Sequence, residues 1–311
     1  MGELKRPRAL RPGDRVAVVV PSGGVDGDRL AAGVAVLERR GFEVTVQSPS
    51  TSYRYFSGRD EERRHALLEA FGDPTVRAVW LARGGYGMNR LLPGLDVEWL
   101  REHGKLCIGF SDATALLQLL VQRAGVAAIH GPMVAHDVAR EEDGGGLDHL
   151  LAIASGACDW SIDVPRGIAT GEATAPLLGG CLAILTSLAG TPFAPSFHGT
   201  IALIEDTNER PQRRIDRMLV QLRQSRMLDG VRGVVFGAMP ECGPTRELIE
   251  TIEDCLGDLG VPIGFGAPLG HGDHHLAVPL GVRVRLRVDD VGDEGVTVQG
   301  RLSGVDSVVD G

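Results

Sequence analysis

Short apolar runs alternate with longer amphipathic stretches through the first half of the chain. The apolar runs predict buried strands at residues 16–21, 42–47, 76–82, 106–110 and 126–131. Apolar positions at helical spacing predict helices at residues 26–40, 59–73 and 111–125. Strands separated by crossover helices are typical of a parallel sheet, so we predict an α/β domain here.

A second α/β domain is predicted after a stretch of weaker pattern. The sequences EEDGGG and PRGIATGEATAP have the composition of loops and flank a short helix at about 147–155. We therefore expect an N-terminal domain at residues 1–145, a linker region at 146–175 and a C-terminal domain at 176–311. In that last domain we predict helices at about 181–190, 213–228 and 244–258, strands at 200–206, 231–239 and 261–265, and an antiparallel hairpin over 282–300 in a mixed sheet.

The charge and composition exclude several classes of protein. The 311 residues include 32 Lys and Arg against 41 Asp and Glu, a formal charge of −9. Such a chain has no overall field that attracts nucleic acid or an anionic membrane, and we expect neither as a partner. The 43 glycines fall in short clusters without a period, which indicates turns and close backbone approaches rather than a repeat.

The cysteines and the N-terminal sequence indicate the cellular compartment in which we expect the protein. Five scattered cysteines without a C-x-x-C pair argue against a disulfide framework and against a zinc knuckle. The apolar stretch at residues 16–21 is too short for the core of a signal peptide, and no run is long enough to span a bilayer. We expect a cytoplasmic protein.

A candidate nucleophile lies in the sequence LCIGFSDATALL. Here an apolar strand runs into Ser111 and at once becomes a helix, the context that holds a nucleophilic serine on a sharp bend. The amide of Asp112 would then lie at a helix N-terminus and could stabilise an oxyanion. The alternative is that Ser111 is only a helix N-cap, since the last glycine of G-x-S-x-G is absent.

A serine nucleophile needs a base, and histidines concentrate in the sequence LGHGDHHLAVPLG. The candidate bases are His271, His274 and His275 in that sequence and His130 and His136 earlier in the chain. A metal site formed by His271, Asp273 and His275 is the alternative, but no second cluster lies at recognisable ligand spacing, so we expect no metal. His130 lies in an apolar run and is predicted to be a core residue.

The third member of such a site is a carboxylate that orients the imidazole. The sequence TIALIEDTNERPQRRIDRML offers Glu205, Asp206, Glu209 and Asp216. Glu205 ends a predicted buried strand, where a rigid carboxylate can project over the sheet edge. Glu209 and Asp216 have the setting of solvated charges. The residues alone leave both Glu205 and Asp206 open.

The glycine-rich sequence RGGYG follows another predicted strand, at residues 83–87. Its backbone amides could complete an oxyanion hole, and the cationic Arg83 beside them could bind a carboxylate; alternatively it is a tight turn. Neither G-x-G-x-x-G nor G-K-[ST] occurs there, so we expect no nucleotide cofactor, and no cofactor of another kind is indicated.

These sequences, taken in order, resemble the LD-carboxypeptidase family of serine peptidases, which includes muramoyltetrapeptide carboxypeptidase and the microcin C self-immunity hydrolases. The resemblance rests on PGDRVAVVVPSG, YFSGRDEERRHALLEAFGDPTVRAVWLARGGYG, GFSDATALL, LLGGCLAILTSLAGTPF, ALIEDTNERPQRRIDRMLVQL and GHGDHHLAVPLG. It implies a Ser-Glu-His triad at Ser111, Glu205 and His271. It also implies an oxyanion hole formed by the amides of Asp112 and Gly85.

The resemblance further implies a cytoplasmic two-domain homodimer that releases D-Ala from murein tetrapeptide during peptidoglycan recycling. Candidate substrate-binding residues are Arg83, Gly84 and Tyr86. The alternatives are a hydrolase of aminoacyl nucleotides or acyl sulfamates, as in the microcin branch, and a non-catalytic muropeptide-binding protein. One departure is Cys181, which occupies the position after the paired glycines where the family commonly has Asn.

Overall fold

A computed structural model of the chain describes residues 4–143, 146–289 and 299–311. The elements before residue 160 are β1 (Arg15–Val19), α1 (Gly27–Arg39), β2 (Glu43–Gln47), α2 (Asp60–Gly72), β3 (Val76–Leu81), α3 (Met88–Leu91), α4 (Val97–Glu102), β4 (Leu106–Gly109), α5 (Thr114–Leu119), β5 (Ala128–His130) and α6 (Gly146–Ala154). Those after it are β6 (Ser161–Val164), β7 (Arg166–Ala169), β8 (Gly171–Cys181), α7 (Leu182–Leu188), β9 (Ile201–Glu205), α8 (Arg213–Gln224), β10 (Gly233–Phe236), α9 (Thr245–Leu256), β11 (Ile263–Phe265), β12 (Val278–Leu280), β13 (Arg283–Val288) and β14 (Gly300–Gly304).

The chain divides into two compact units that are not continuous in sequence. The first unit comprises Met1–Ala157, Leu276–Gly281 and Ser307–Gly311, and the second comprises Cys158–His275 and Val282–Asp306. Two C-terminal segments therefore belong with the N-terminal part of the chain, whereas the sequence pattern places all of residues 176–311 in one domain.

The first unit is built on a sheet with the strand order β12-β5-β4-β3-β1-β2. The strands from β5 to β2 are parallel, as predicted, and β12 joins the edge of β5 in the antiparallel direction. Val16 to Val19 of β1 are fully buried, as expected for a central strand covered on both faces. Because β3 and β4 are parallel neighbours, the segments that follow them meet at one edge of the sheet.

The second unit contains a mixed sheet with the order β6-β14-β13-β8-β9-β10-β11-β7. Strands β8 to β11 are parallel, and the remaining pairs are antiparallel. The structure thus confirms the predicted α/β class, and β13 and β14 confirm the antiparallel pairing of the terminal hairpin. Residues 290–298 of the predicted hairpin lie outside the described residues. The last residues of β8 and β9, Cys181 and Glu205, are register partners.

Within the expected linker region at residues 146–175, the short helix predicted at about 147–155 is confirmed as α6, but the loop expected from PRGIATGEATAP is wrong. The structure places helix α6, strands β6 and β7 and the start of β8 there. The residues of β8 include glycine and proline, which locally favour turns. However, β8 pairs with β13 over residues 171–176 and with β9 over residues 177–181, and these distant partners form hydrogen bonds with its backbone. Within the described ranges, no helix is long and apolar enough to cross a bilayer.

Candidate active site

Ser111 lies on a strained bend directly after β4. Its φ is +59°, in the left-handed region that side-chain-bearing residues rarely adopt, and it begins a short 3₁₀ turn that leads into α5. The cap positions of these two helical segments are Phe110 and Ala113, and neither forms a side-chain cap bond. Ser111 is therefore not placed as an N-cap, and its geometry is that of a serine held on a strand-to-helix elbow.

The glycine turn after β3 lies directly against Ser111. A Cβ atom added to the buried Gly84 would lie 2.8 Å from both Cβ and Oγ of Ser111 and 3.4 Å from the amide nitrogen of Asp112. Only glycine permits this approach, which brings the two candidate oxyanion segments together. Gly85 and Tyr86 follow on the exposed side of the turn. Arg83 is exposed, and its Nη1 donates to the carbonyl of Gly24 at 2.6 Å.

The Asp112 side chain holds the segment after the glycine turn in place, a role that the sequence does not indicate. Its carboxylate is fully buried, and Oδ2 accepts a 2.8 Å hydrogen bond from the amide of Met88. Burial raises the pKa of this carboxyl, while the Met88 amide partly opposes the increase. The side chain thus ties the segment after the glycine turn to the serine elbow.

Glu205 and His271 are brought together across 66 residues of sequence. Glu205 ends β9 and is fully buried, and its Oε2 lies 2.6 Å from Nδ1 of His271. The same oxygen accepts a bond of 3.2 Å from the His271 backbone amide. The imidazole is 18% exposed. A buried carboxylate at Nδ1 favours the tautomer whose Nε2 can accept a proton, which is the arrangement of a general base.

Gly270 makes this contact possible. Its φ is +85°, and a Cβ atom there would lie 2.1 Å from Oε2 of Glu205. Any side chain at this position would occupy the place of the carboxylate oxygen. The glycine therefore allows the loop carrying His271 to close onto the end of β9.

Asp206 has a separate set of partners, which distinguishes it from Glu205. Its Oδ2 accepts from the amide of Ala183 and its Oδ1 from the amide of Thr207, each at 2.8 Å, and the Cys181 thiol lies 3.7 Å from Oδ1. Burial and the nearby charge of Glu205 raise the pKa of Asp206 to about 6. Burial and the two carboxylates also raise the pKa of the Cys181 thiol. Asp206 thus braces the strand end beside Glu205.

The other candidate residues lie in different settings. His275 is buried, whereas Asp273 and His274 are exposed, and in the described part of the chain His, Cys, Asp and Glu side chains form no cluster of three suited to a metal. His130 is fully buried in β5. The remaining candidates are engaged or solvated: His136 with Asp137, Glu209 with Arg214, and Asp216 exposed on α8.

Comparison with known proteins decides the family. The sequence matches the LD-carboxypeptidase N-terminal domain over residues 16–131 and the LD-carboxypeptidase C-terminal domain over residues 174–286. The chain belongs to the LD-carboxypeptidase family. Membership makes it a serine-type carboxypeptidase, as the sequence motifs indicate.

Individual relatives agree with this LD-carboxypeptidase assignment. A Streptomyces coelicolor protein named as a carboxypeptidase is 40% identical over 93% of this chain and 95% of its own. The crystal structure of muramoyltetrapeptide carboxypeptidase from Oxalobacter formigenes has a TM-score of 0.82 at 29% identity, covering 94% of this chain and 99% of that one. An MccF-like protein from Bacillus anthracis has a TM-score of 0.84 at 25% identity, covering 96% and 99%.

Proposed function

We propose that this LD-carboxypeptidase releases the terminal D-Ala from a murein tetrapeptide, with Ser111 as nucleophile, His271 as base and Glu205 as the orienting carboxylate. The observation that carries the proposal is the 2.6 Å contact of buried Glu205 with Nδ1 of His271. A contact of this kind sets the imidazole tautomer in a serine hydrolase triad. The strained elbow at Ser111 supplies a matching nucleophile, and the substrate class follows from the muramoyltetrapeptide carboxypeptidase among the structural relatives.

In the proposed reaction, Nε2 of His271 takes the Ser111 hydroxyl proton as Oγ attacks the carbonyl carbon before the terminal D-Ala. The tetrahedral intermediate collapses, the C–N bond breaks, and His271 gives its proton to the departing D-Ala nitrogen. A water molecule, deprotonated by His271, then hydrolyses the acyl-enzyme ester and restores Ser111. Glu205 stabilises the imidazolium in both steps.

The backbone amides of Asp112 and Gly85 are the proposed donors to the oxyanion. The close approach of the Gly84 backbone to Ser111 and to the Asp112 amide supports this role, because such donors must lie near the attacked carbonyl. Arg83 is proposed to contact the terminal carboxylate of the peptide. One of its guanidinium nitrogens is held by Gly24, which leaves other N–H groups to bind an anion.

The proposed setting is the cytoplasm, where a homodimer would act on murein fragments during peptidoglycan recycling. The scattered cysteines support this setting, because disulfide frameworks are typical of exported proteins. All five cysteines lie within the described ranges, and no disulfide joins any two of them.

The test is to incubate the purified protein with murein tetrapeptide and to measure released D-Ala by mass spectrometry, with and without a chelator. We expect release that resists chelation and that falls by at least about 10³-fold in Ser111→Ala. Undiminished turnover by Ser111→Ala would contradict the proposed nucleophile.

A parallel incubation with an aminoacyl sulfamoyl adenosine separates the alternatives, because an MccF-like protein is also a structural relative. Cleavage of that compound without D-Ala release would assign the microcin-type activity instead. Cleavage of neither, with binding of the tetrapeptide retained, would indicate a binding protein.

A further inference from the structure

An exposed aromatic surface lies beside the glycine turn of the first unit. Tyr55 and Tyr86 are 63% and 45% exposed, whereas Phe56 is buried. The ring centroids of Tyr55 and Tyr86 are 6.2 Å apart, and Phe56 lies 4.4 Å from the first and 5.8 Å from the second. We refer to these three residues as the tyrosine shelf.

The concentration of aromatic side chains at this place is unusual for the chain. The sequence contains three tyrosines, and Tyr53 stands two residues before Tyr55. In the described part of the chain, three large apolar side chains are exposed: Val46 and the two tyrosines of the shelf. Exposed aromatic residues gathered at one place mark a binding surface, because tyrosine offers a large contact area at a small entropy cost.

The shelf is held rigidly. Reciprocal backbone hydrogen bonds of 3.2 and 3.0 Å join Tyr53 to Phe56 in a tight turn. The guanidinium of the buried Arg63 lies 4.6 Å from the Phe56 ring centre and pairs with Asp60 at 2.6 Å. Arg90 adds a second pairing to Asp60, also at 2.6 Å. A supported surface of this kind loses little freedom when it binds a ligand.

The tyrosine shelf is connected to the proposed nucleophile by backbone contacts. Gly23 forms a β-bridge with the shelf turn and donates to the carbonyl of Gly84 at 3.2 Å, and Gly84 lies against Ser111. Tyr86 is two residues beyond Gly84, a span of at most about 7 Å. The Tyr55 ring lies a further 6.2 Å from the Tyr86 ring. The shelf therefore begins about two residues from Gly84, the glycine that lies against the elbow.

We propose that the tyrosine shelf is the subsite that binds the pyranose ring of a muramoyl peptide substrate. This inference rests on the proposed function. In a muramoyltetrapeptide, three residues separate the scissile bond from the sugar, and three extended residues span about 11 Å, which is the scale of the distance from the elbow to the shelf. Tyrosine faces pack against the apolar C–H face of a sugar, and their hydroxyls can hydrogen-bond to its rim.

The charges around the shelf suit the rest of such a ligand. Arg59 and Arg54 lie 4.5 and 5.3 Å from the Tyr53 ring centre, and Arg83 is exposed on the other side of Gly85. A muramoyl peptide carries several carboxylates. These arginines provide local attraction for an anionic peptide in a chain whose formal charge is −9.

The experiment compares two substrates, muramoyltetrapeptide and the same tetrapeptide without its sugar. For each, kcat/KM of D-Ala release is measured in the wild-type protein, Tyr55→Ala, Tyr55→Phe and Val46→Ala. We expect the wild type to prefer the sugar-bearing substrate. In Tyr55→Ala the ratio of the two kcat/KM values should fall by about tenfold, the loss of one aromatic packing contact. Tyr55→Phe keeps the ring and Val46→Ala changes an exposed apolar side chain outside the shelf, so both should keep most of the ratio.

Several results would contradict the proposal that the tyrosine shelf binds the sugar. One is an equal kcat/KM for the two substrates in the wild type, and another is an unchanged ratio in Tyr55→Ala. A third is a Tyr55→Ala effect confined to an aminoacyl sulfamoyl adenosine, which would assign the shelf to a nucleobase. If the wild type releases D-Ala from the sugar-free tetrapeptide in any of these cases, the proposed function stands while the subsite fails. No D-Ala release from either substrate would refute both.

Discussion

Gly270→Ala places a methyl group where the Glu205 carboxylate lies. The added Cβ would be 2.1 Å from Oε2, and ordinary contact begins at 3.4 Å, so the oxygen or the loop must shift by 3.4 − 2.1 = 1.3 Å. The hydrogen bond from His271 to that oxygen is 2.6 Å long. A displacement of this size breaks the bond and releases the imidazole from its orientation.

The magnitude follows from two separate effects. Alanine at a φ of +85° suffers left-handed strain of about 1–2 kcal/mol, partly offset by a lower entropy of the unfolded chain, for a net loss of about 1 kcal/mol in unfolding free energy. Displacing the orienting carboxylate by about 1 Å should lower kcat by at least about 10²-fold.

Gly190→Ala is the matched control. Gly190 has a φ of +78° in the same unit, but no atom lies within 4 Å of the place of its Cβ. Urea unfolding should show a loss of about 1 kcal/mol in Gly190→Ala and a larger loss in Gly270→Ala, whose methyl group also clashes with the buried Glu205 carboxylate. In the D-Ala release assay, only Gly270→Ala should lose turnover. If both folded variants turned over tetrapeptide at the wild-type rate, the Glu205–His271 contact would have no role in catalysis.

Three further predictions concern Ser111, Gly84 and Asp206. Ser111→Gly and Ser111→Ala should both be inactive in D-Ala release, but the glycine variant should be more stable to urea by about 1 kcal/mol because it relieves the strain at φ +59°. Gly84→Ala should lower kcat about 10-fold or more, because its Cβ would lie 2.8 Å from Ser111 Oγ. Asp206, whose pKa rises from 3.8 to about 6 on folding, holds a proton in the folded chain that the unfolded chain has released between these values. The protonated carboxyl therefore stabilises the folded chain below the unfolded pKa, and this stabilisation of about 3 kcal/mol is lost as the pH rises through about 6. Between about pH 4 and pH 7, the free energy of unfolding measured in urea should decline less in Asp206→Asn than in the wild type.

Each of these has a contradicting result. Equal stability of Ser111→Gly and Ser111→Ala would argue against a strained elbow. Wild-type turnover by Gly84→Ala would show that the glycine turn does not position Ser111. Parallel curves of unfolding free energy against pH for Asp206→Asn and the wild type would show that this carboxyl titrates normally.

Much of the first sheet could be predicted from the sequence because its strands are buried on both faces. Such strands appear as continuous apolar runs, as at Val16–Val19, and the crossover helices between them have a clear period. Strands β8 and β12 could not be predicted in this way. The residues of β8 favour turns locally, and β12 has only three residues, so both are strands because of partners far away in the sequence.

The candidate site likewise combines features that depend on the local sequence with features that depend on residues far away in the sequence. The elbow at Ser111 is local, and the strand-to-helix pattern predicts its position. The contact between Glu205 and His271 joins residues 66 positions apart, and only the family resemblance selected this pair among the carboxylates and histidines nearby. The buried side chain of Asp112 and the bracing of Asp206 depend on the packing around them, which no sequence period records.

The late position of strand β12 in the sequence also affects folding during translation. Strand β5 ends at His130, and its antiparallel partner β12 begins at Val278, 278 − 130 = 148 residues later. At a translation rate of about 5–20 residues per second, β12 is synthesised roughly 7–30 s after β5. During this time an apolar strand with unpaired backbone groups is open to other nascent chains. Yield in a host should therefore depend on chaperones that shield this edge until the last part of the chain has been synthesised.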